Sequence, residues 1–119
     1  KIAVHTQGTS LNNPLLNEIQ WQNCLWINSA EAKKLGIGDR DEVVVTSGDV
    51  VQKCRARVTS LIHPEAVYTL HGFGREIPLQ TRAYKKGMRD NTLMTGLLTV
   101  APGGNCPITD CFVTVAKAK

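Results

Sequence analysis

A closed β-barrel of about six strands with two short helices is the mainly β fold this sequence predicts, and three observations carry the expectation. Segments that are β-branched or strictly alternating recur from one end of the chain to the other. Helix signatures are confined to two short stretches. No helical pattern of about 10 to 15 residues separates the strands, which argues against parallel βαβ layers.

Taken in order, Ile2 to His5 is the first strand candidate, and Pro14 suits the first turn of a short helix running through Leu15-Leu16-Asn17-Glu18-Ile19. Cys24 to Ile27 is the next strand. Asn28-Ser29-Ala30-Glu31-Ala32-Lys33-Lys34-Leu35-Gly36 then reads as a capped helix. Asn28 caps the free amides, Glu31 stands where a capping-box side chain reaches back, and Gly36 supplies the left-handed stop. Ala32 and Leu35 share one face, while Lys33 and Lys34 point to water at the negative helix end. Ile37 to Asp41 is a turn, Glu42 to Thr46 a strand covered on both sides, and Ser47-Gly48-Asp49 a reversal. The following strand sets Val50, Gln52, Cys54, Ala56 and Val58 on one face against Val51, Lys53, Arg55 and Arg57 on the other, so the hairpin has one wet face. Ala66 to Leu70 and Cys111 to Ala116 complete the strands.

The chain has 119 residues, a net charge of +4, and two each of Phe, Tyr and Trp, which bounds it to one domain with a largely aliphatic core. Hydrophobic and charged contents of 42% and 20% exclude a disordered or collagen-like chain. No run reaches the roughly 18 apolar residues of a membrane helix, so a soluble domain is expected. The chain opens inside an apolar alternation, without Met or a signal-peptide pattern, as an excised domain or processed fragment would. Cys24, Cys54, Cys106 and Cys111 contain no C-x-x-C and lack the paired spacing of a zinc site. Cys54 and Cys111 read as small buried hydrophobes. Two disulfides stay open as an alternative.

From Gly72 to Gly96 periodicity fades. Between Arg75 and Asp90, Arg75, Arg82, Lys85, Lys86 and Arg89 face only Glu76 and Asp90, so this loop carries +3 of the chain's +4. Such a stretch is either a solvated flexible loop or a site for an anion, where Lys and Arg meet phosphate. His5-Thr6-Gln7-Gly8-Thr9-Ser10 offers hydroxyls, amides and backbone N–H groups just past a strand, and His71-Gly72-Phe73-Gly74 ends another. Catalytic motifs are missing: there is no G-x-S-x-G, Walker loop, G-x-G-x-x-G or H-E-x-x-H. A Cys/His nucleophile pair has no local support.

These segments together resemble the C-terminal cofactor-binding domain of the molybdopterin oxidoreductases, the dimethyl sulfoxide reductase superfamily. The likeness runs from His5-Thr6-Gln7-Gly8-Thr9-Ser10 through the stretch from Leu25 to Ser47, Ala56-Arg57-Val58-Thr59, and His63 to Gly74. It ends with Asp90-Asn91-Thr92-Leu93 and Gly104-Asn105-Cys106-Pro107. Within the superfamily, His-Thr-Gln-Gly followed by Asn12-Asn13-Pro14-Leu15-Leu16-Asn17-Glu18 is most similar to thiosulfate and polysulfide reductase catalytic subunits, enzymes of anaerobic respiration.

The resemblance implies a double-psi β-barrel that closes over a bis(molybdopterin guanine dinucleotide) cofactor carrying molybdenum or tungsten. It places His5, Thr6, Gln7, Gly8, Thr9 and Ser10 in a first contact loop, His71, Gly72 and Phe73 in a second, and Asn91 with Thr92 in a third. The metal's protein ligand and any iron–sulfur cluster would belong to earlier domains, so the fragment alone is expected to be inactive. Its implied partners are the remaining domains of the catalytic subunit, an iron–sulfur electron-transfer subunit and a membrane anchor subunit, at the periplasmic face of a bacterial membrane, with no nucleic acid. The alternative is a small basic β-barrel binding RNA or single-stranded DNA, which would want stacking aromatics along a basic face. Trp21, Trp26 and Phe112 read instead as core or packing residues.

Overall fold

The computed structural model describes residues 10–94 and 111–119. The first strand candidate, Ile2 to His5, and Cys106 lie outside the described residues. Helix α1 (Pro14–Ile19) begins as expected: the Asn13 side chain accepts from the amides of Leu15 and Leu16 at 3.0 and 3.3 Å, and Pro14 opens the first turn. Strand β1 (Cys24–Asn28) leads directly into α2 (Ser29–Lys34). Asn28 serves both, its Oδ1 accepting from the Ala30 amide at 2.9 Å while its Nδ2 donates to the Ile62 carbonyl at 2.7 Å.

Two details of α2 differ from expectation. Glu31 does not reach back to the cap; its carboxylate takes Lys34 Nζ at 2.8 Å. Leu35 is 41% exposed, and its place in the core goes to Ile37. The helix ends with the Ile37 amide donating to Ala32 O at 2.8 Å and the Gly36 amide to Lys33 O at 3.3 Å. This wrap about Gly36, at φ 65°, swings Ile37 under the helix against Ala32. An i, i+3 pattern cannot reveal that swing.

Strands β2 (Glu42–Ser47) and β3 (Val50–Thr59) form the expected hairpin, closing from Ser47 to Val50 across Gly48-Asp49 with Gly48 at φ 53°. The alternation in β3 holds, with Cys54 and Ala56 buried and Val51, Lys53, Arg55 and Arg57 exposed. Strands β4 (Val67–Thr69) and β5 (Thr114–Lys117) are shorter than the segments expected for them. The five strands make one sheet in the order β4-β1-β3-β2-β5. Among the described residues this sheet is open, with β4 and β5 at its ends, and closure into a barrel is not seen.

β1 lies parallel to β3, from Cys24 beside Arg55 to Asn28 beside Thr59, and every other pair is antiparallel. The expectation against parallel layers assumed that a long helix must make the crossover. Here α2 and β2 make it together, so one parallel pair forms without such a helix.

The inner face carries Leu25, Ile27, Val43, Val45, Cys54 and Ala56, capped by Ala32, Ile37, Met88 and Leu93. Burial of side chains such as Leu25 and Ile27 contributes about 1.5–3 kcal/mol each. A second cluster joins Leu11, Leu70, Phe73 and Ala83. Phe112 is 93% exposed and Trp21 48% exposed, so of the expected core or packing roles neither residue takes the core one. Among the described residues no helix is long and apolar enough to cross a membrane.

Asn23 joins the two clusters. It is 1% exposed; its Nδ2 donates to Leu70 O at 2.8 Å and Met88 O at 3.0 Å, and its Oδ1 accepts from the Met88 amide at 2.7 Å. Gly87 sits against this amide at φ 76°, where a Cβ would fall 2.4 Å from Asn23 Oδ1. The irregular stretch after β4 is therefore fastened. Its two arms also pair through Gly74 N to Lys86 O at 2.8 Å and Lys85 N to Arg75 O at 2.7 Å.

Two outcomes follow. Asn23→Ala leaves three buried backbone groups unsatisfied, and urea denaturation should show a loss of about 3 kcal/mol or more; a loss below about 1 kcal/mol would remove Asn23 from this role. Burial pushes the Cys54 thiol up to about 11, so its thiolate fraction at pH 8 is on the order of one in a thousand. Iodoacetamide at pH 8 should spare Cys54 until the chain is unfolded, as peptide mass mapping would show.

Candidate functional site

Beyond β4 the chain enters a cleft of about 370 Å³ lined by His71, Gly72, Phe73, Arg75, Glu76, Ile77, Arg89 and Asn91. Residues of the second and third expected contact loops thus meet on one wall, together with two arginines of the basic loop. Thr92 lies around the corner, where it borders a second hollow of about 270 Å³ with Gln52, Lys85 and Arg89. His5, Thr6, Gln7, Gly8 and Thr9 are outside the described residues. Ser10 is described and does not line the cleft, but its neighbours are tied to it. Leu11 packs with Leu70 and Phe73, and Asn12 Oδ1 accepts from the amides of Arg82 and Ala83 at 2.9 and 3.3 Å.

Asp90 organises the cleft. Its carboxylate is buried, with Oδ2 at 2.5 Å from His71 Nδ1 and Oδ1 accepting from the Gly72 amide at 3.2 Å. The same residue opens the 3-10 turn Asp90–Leu93, which carries Asn91 and Thr92. One carboxylate thereby locks the second loop onto the third. With Nδ1 engaged, Nε2 is the imidazole atom left for a ligand. The Thr92 hydroxyl donates to Arg89 O at 2.7 Å, which leaves its oxygen as an acceptor, and Asn91 is exposed with an amide that both donates and accepts. Phe73 is 2% exposed and packs with Leu11, Leu70 and Ala83, so its side chain belongs to the core even though the residue lines the cleft.

Gly74, at φ 68°, lines the second hollow, and a Cβ there would meet the Arg89 backbone nitrogen at 2.6 Å. The two segments approach closely here, and Arg75 and Arg89 both line the cleft. With Lys85 nearby, and Glu76 as the one carboxylate among the described residues lining either hollow, cationic groups outnumber acidic ones here. Among the described residues no group of three or more His, Cys, Asp or Glu could hold a metal ion. The polar groups lining the two hollows include amide, hydroxyl, imidazole and guanidinium side chains, with the Glu76 carboxylate.

The sequence pattern did not single out Asp90 or Asn23. An acidic residue directly before Asn91 in a basic loop was the available signal for Asp90. For Asn23 there was none, because its partners lie 47 and 65 residues away. Replacing Asp90 by Ala should release Gly72, so amide hydrogen exchange there should quicken at least tenfold while β3 amides stay protected. Equal exchange in both proteins would show that Asp90 does not hold the loop.

Two comparisons bear on this arrangement. The family model described as molydopterin dinucleotide binding domain matches residues 1–106. The chain is also similar to the thiosulfate reductase molybdopterin-containing subunit PhsA of Salmonella typhimurium, with 31% identity over 118 residues. That match takes in 99% of this chain, which spans 15% of the relative's length. The cleft, its amide and cationic lining, and the family match over nearly the whole chain agree, and the chain belongs to the molydopterin dinucleotide binding domain family.

Proposed function

We propose that this chain binds and orients a bis(molybdopterin guanine dinucleotide) cofactor as the C-terminal domain of a molybdopterin-dependent oxidoreductase. The observation that carries the proposal is the meeting of His71, Gly72 and Asn91 with Arg75 and Arg89 on one cleft, in a chain of this family. The donor set suits such a group. Asn91 and Thr92 match the amide-like edges of a pterin, and the paired guanidinium groups match a pyrophosphate. When bound, the cofactor supplies the redox chemistry. This chain's residues hold it in place: Asp90 keeps His71 and Gly72 positioned, Arg75 and Arg89 neutralise the anion, and Asn91 sets the orientation of the ring system.

The parent enzyme, on this proposal, reduces thiosulfate or polysulfide, a choice supported by the similarity to the Salmonella subunit. Its other domains and subunits supply an iron–sulfur cluster, electron transfer and a membrane anchor at the periplasmic face. The isolated chain is inactive. We also infer the double-psi form of the barrel, which the parallel β1–β3 pair and the crossed strand order favour.

In the complete enzyme, Asn91→Ala combined with Arg89→Gln should reduce bound guanine nucleotide and metal at least fivefold, measured after acid release. Full occupancy in that variant would falsify the assignment of the cleft.

A further inference from the structure

On the opposite side of the sheet lies a groove of about 670 Å³, within the range of sites that accept a ligand of drug size or a short peptide. Arg40, Arg55 and Arg57 line it together with Gln20, Trp21 and Gln22, and Asp39 is the one carboxylate among the described residues of its wall. Asp39 is already engaged, its Oδ1 accepting from the Val58 amide at 3.0 Å and its Oδ2 standing 3.9 Å from Arg40 Nε. Among the described residues Arg55 and Arg57 make no ion pair. Two guanidinium groups on one sheet face are therefore outside ion-pair contact, with Glu42 standing opposite Arg55 in the β2–β3 register as the nearest carboxylate on β2.

Their arrangement is ordered. Arg57 lies over the Trp26 ring, 4.4 Å from its centre, and Trp26 is itself held edge-on by Tyr68 with ring centres 5.6 Å apart. Stacking fixes the Arg57 side chain in advance, which lowers the entropy lost when it binds. Along β3 the cations Lys53, Arg55 and Arg57 alternate with inward residues, so they recur about every 7 Å on the outer face. Side chains on one face of an extended peptide recur at the same interval. Lys86 of the basic loop lies 5.6 Å from the centre of the Trp21 ring, which itself lines the groove.

The geometry points to a docking surface for an extended, carboxylate-bearing segment of polypeptide outside residues 1–119, with acidic residues alternating along it. This inference rests on the proposal that the chain is one domain of a larger enzyme, and the chain's 15% share of its relative's length agrees with that. A peptide is favoured over single-stranded nucleic acid because a row of stacking platforms is missing among the described residues of the groove. Arg57 covers the Trp26 ring and Tyr68 meets it edge-on, which leaves the half-exposed Trp21 as a single ring open to a base.

The test uses the complete polypeptide that carries this chain. A carbodiimide joins Lys53 to carboxylates in direct contact, and mass spectrometry maps the product. The expected result is a Lys53 cross-link to Asp or Glu outside residues 1–119, reduced at least fivefold by combined Arg55→Gln and Arg57→Gln with an unchanged thermal midpoint. Absence of the cross-link overturns the inference. So does a Lys53 cross-link found only within residues 1–119, one insensitive to the double variant, or one blocked by a dT12 oligonucleotide. Cofactor content is read on the same samples: a cofactor-free polypeptide that still cross-links supports the docking surface even as it removes the function proposed above.

Discussion

Asn23 sits immediately before the first strand of the sheet, and its side-chain amide reaches Leu70 and Met88, residues that enter and leave the long irregular stretch. Those three hydrogen bonds are buried, so water cannot replace them, and a buried polar group left unpaired costs about 1–3 kcal/mol. Everything distinctive about the site hangs from this staple. With Leu70 and Met88 held at one point, the chain between them must form a closed loop, and Asp90, two residues beyond Met88, arrives where its carboxylate can take His71 and Gly72.

The same constraint explains where glycine is required. Gly87 passes against the Asn23 oxygen and Gly74 against the Arg89 backbone, each with positive φ and no room for a Cβ. A loop this rich in Lys and Arg would otherwise spread in water by self-repulsion. Here its arms are paired through backbone hydrogen bonds, and Ala83 and Met88 are drawn into the two apolar clusters. Two of the cations, Arg75 and Arg89, are thereby presented at a cleft, the preorganisation that the proposed anion binding requires. The two faces of the sheet also divide the chemistry: the inner face is mainly apolar, with Ser47 and Thr69 as polar exceptions, while the outer face carries Lys53, Arg55 and Arg57.

How much of this was legible depended on whether the cause was local. The cap at Asn28, the stop at Gly36, the opening of α1 at Pro14 and the two-faced character of β3 are all set by neighbours within about four residues, and each stands as the residue pattern implies. Leu35 and Glu31 diverge because the turn about Gly36 redirects the chain and because Lys34 offers Glu31 a closer partner than the cap does. Phe112 and Trp21 diverge because an aromatic residue beside a strand is not bound to the strand's inner face.

By itself, the sequence determined five of its strand segments and the short helices, the hairpin, the concentration of charge between Arg75 and Asp90, and a resemblance that the family match bears out. Only the tertiary structure decided the parallel pairing of β1 with β3, the convergence of His71 with Asn91, the withdrawal of the Phe73 ring into the core, and the roles of Asn23 and Asp90. The physical reason is range. Capping and alternation are interactions between near neighbours, whereas a buried amide or carboxylate is satisfied by whichever distant backbone groups the packed chain brings to it.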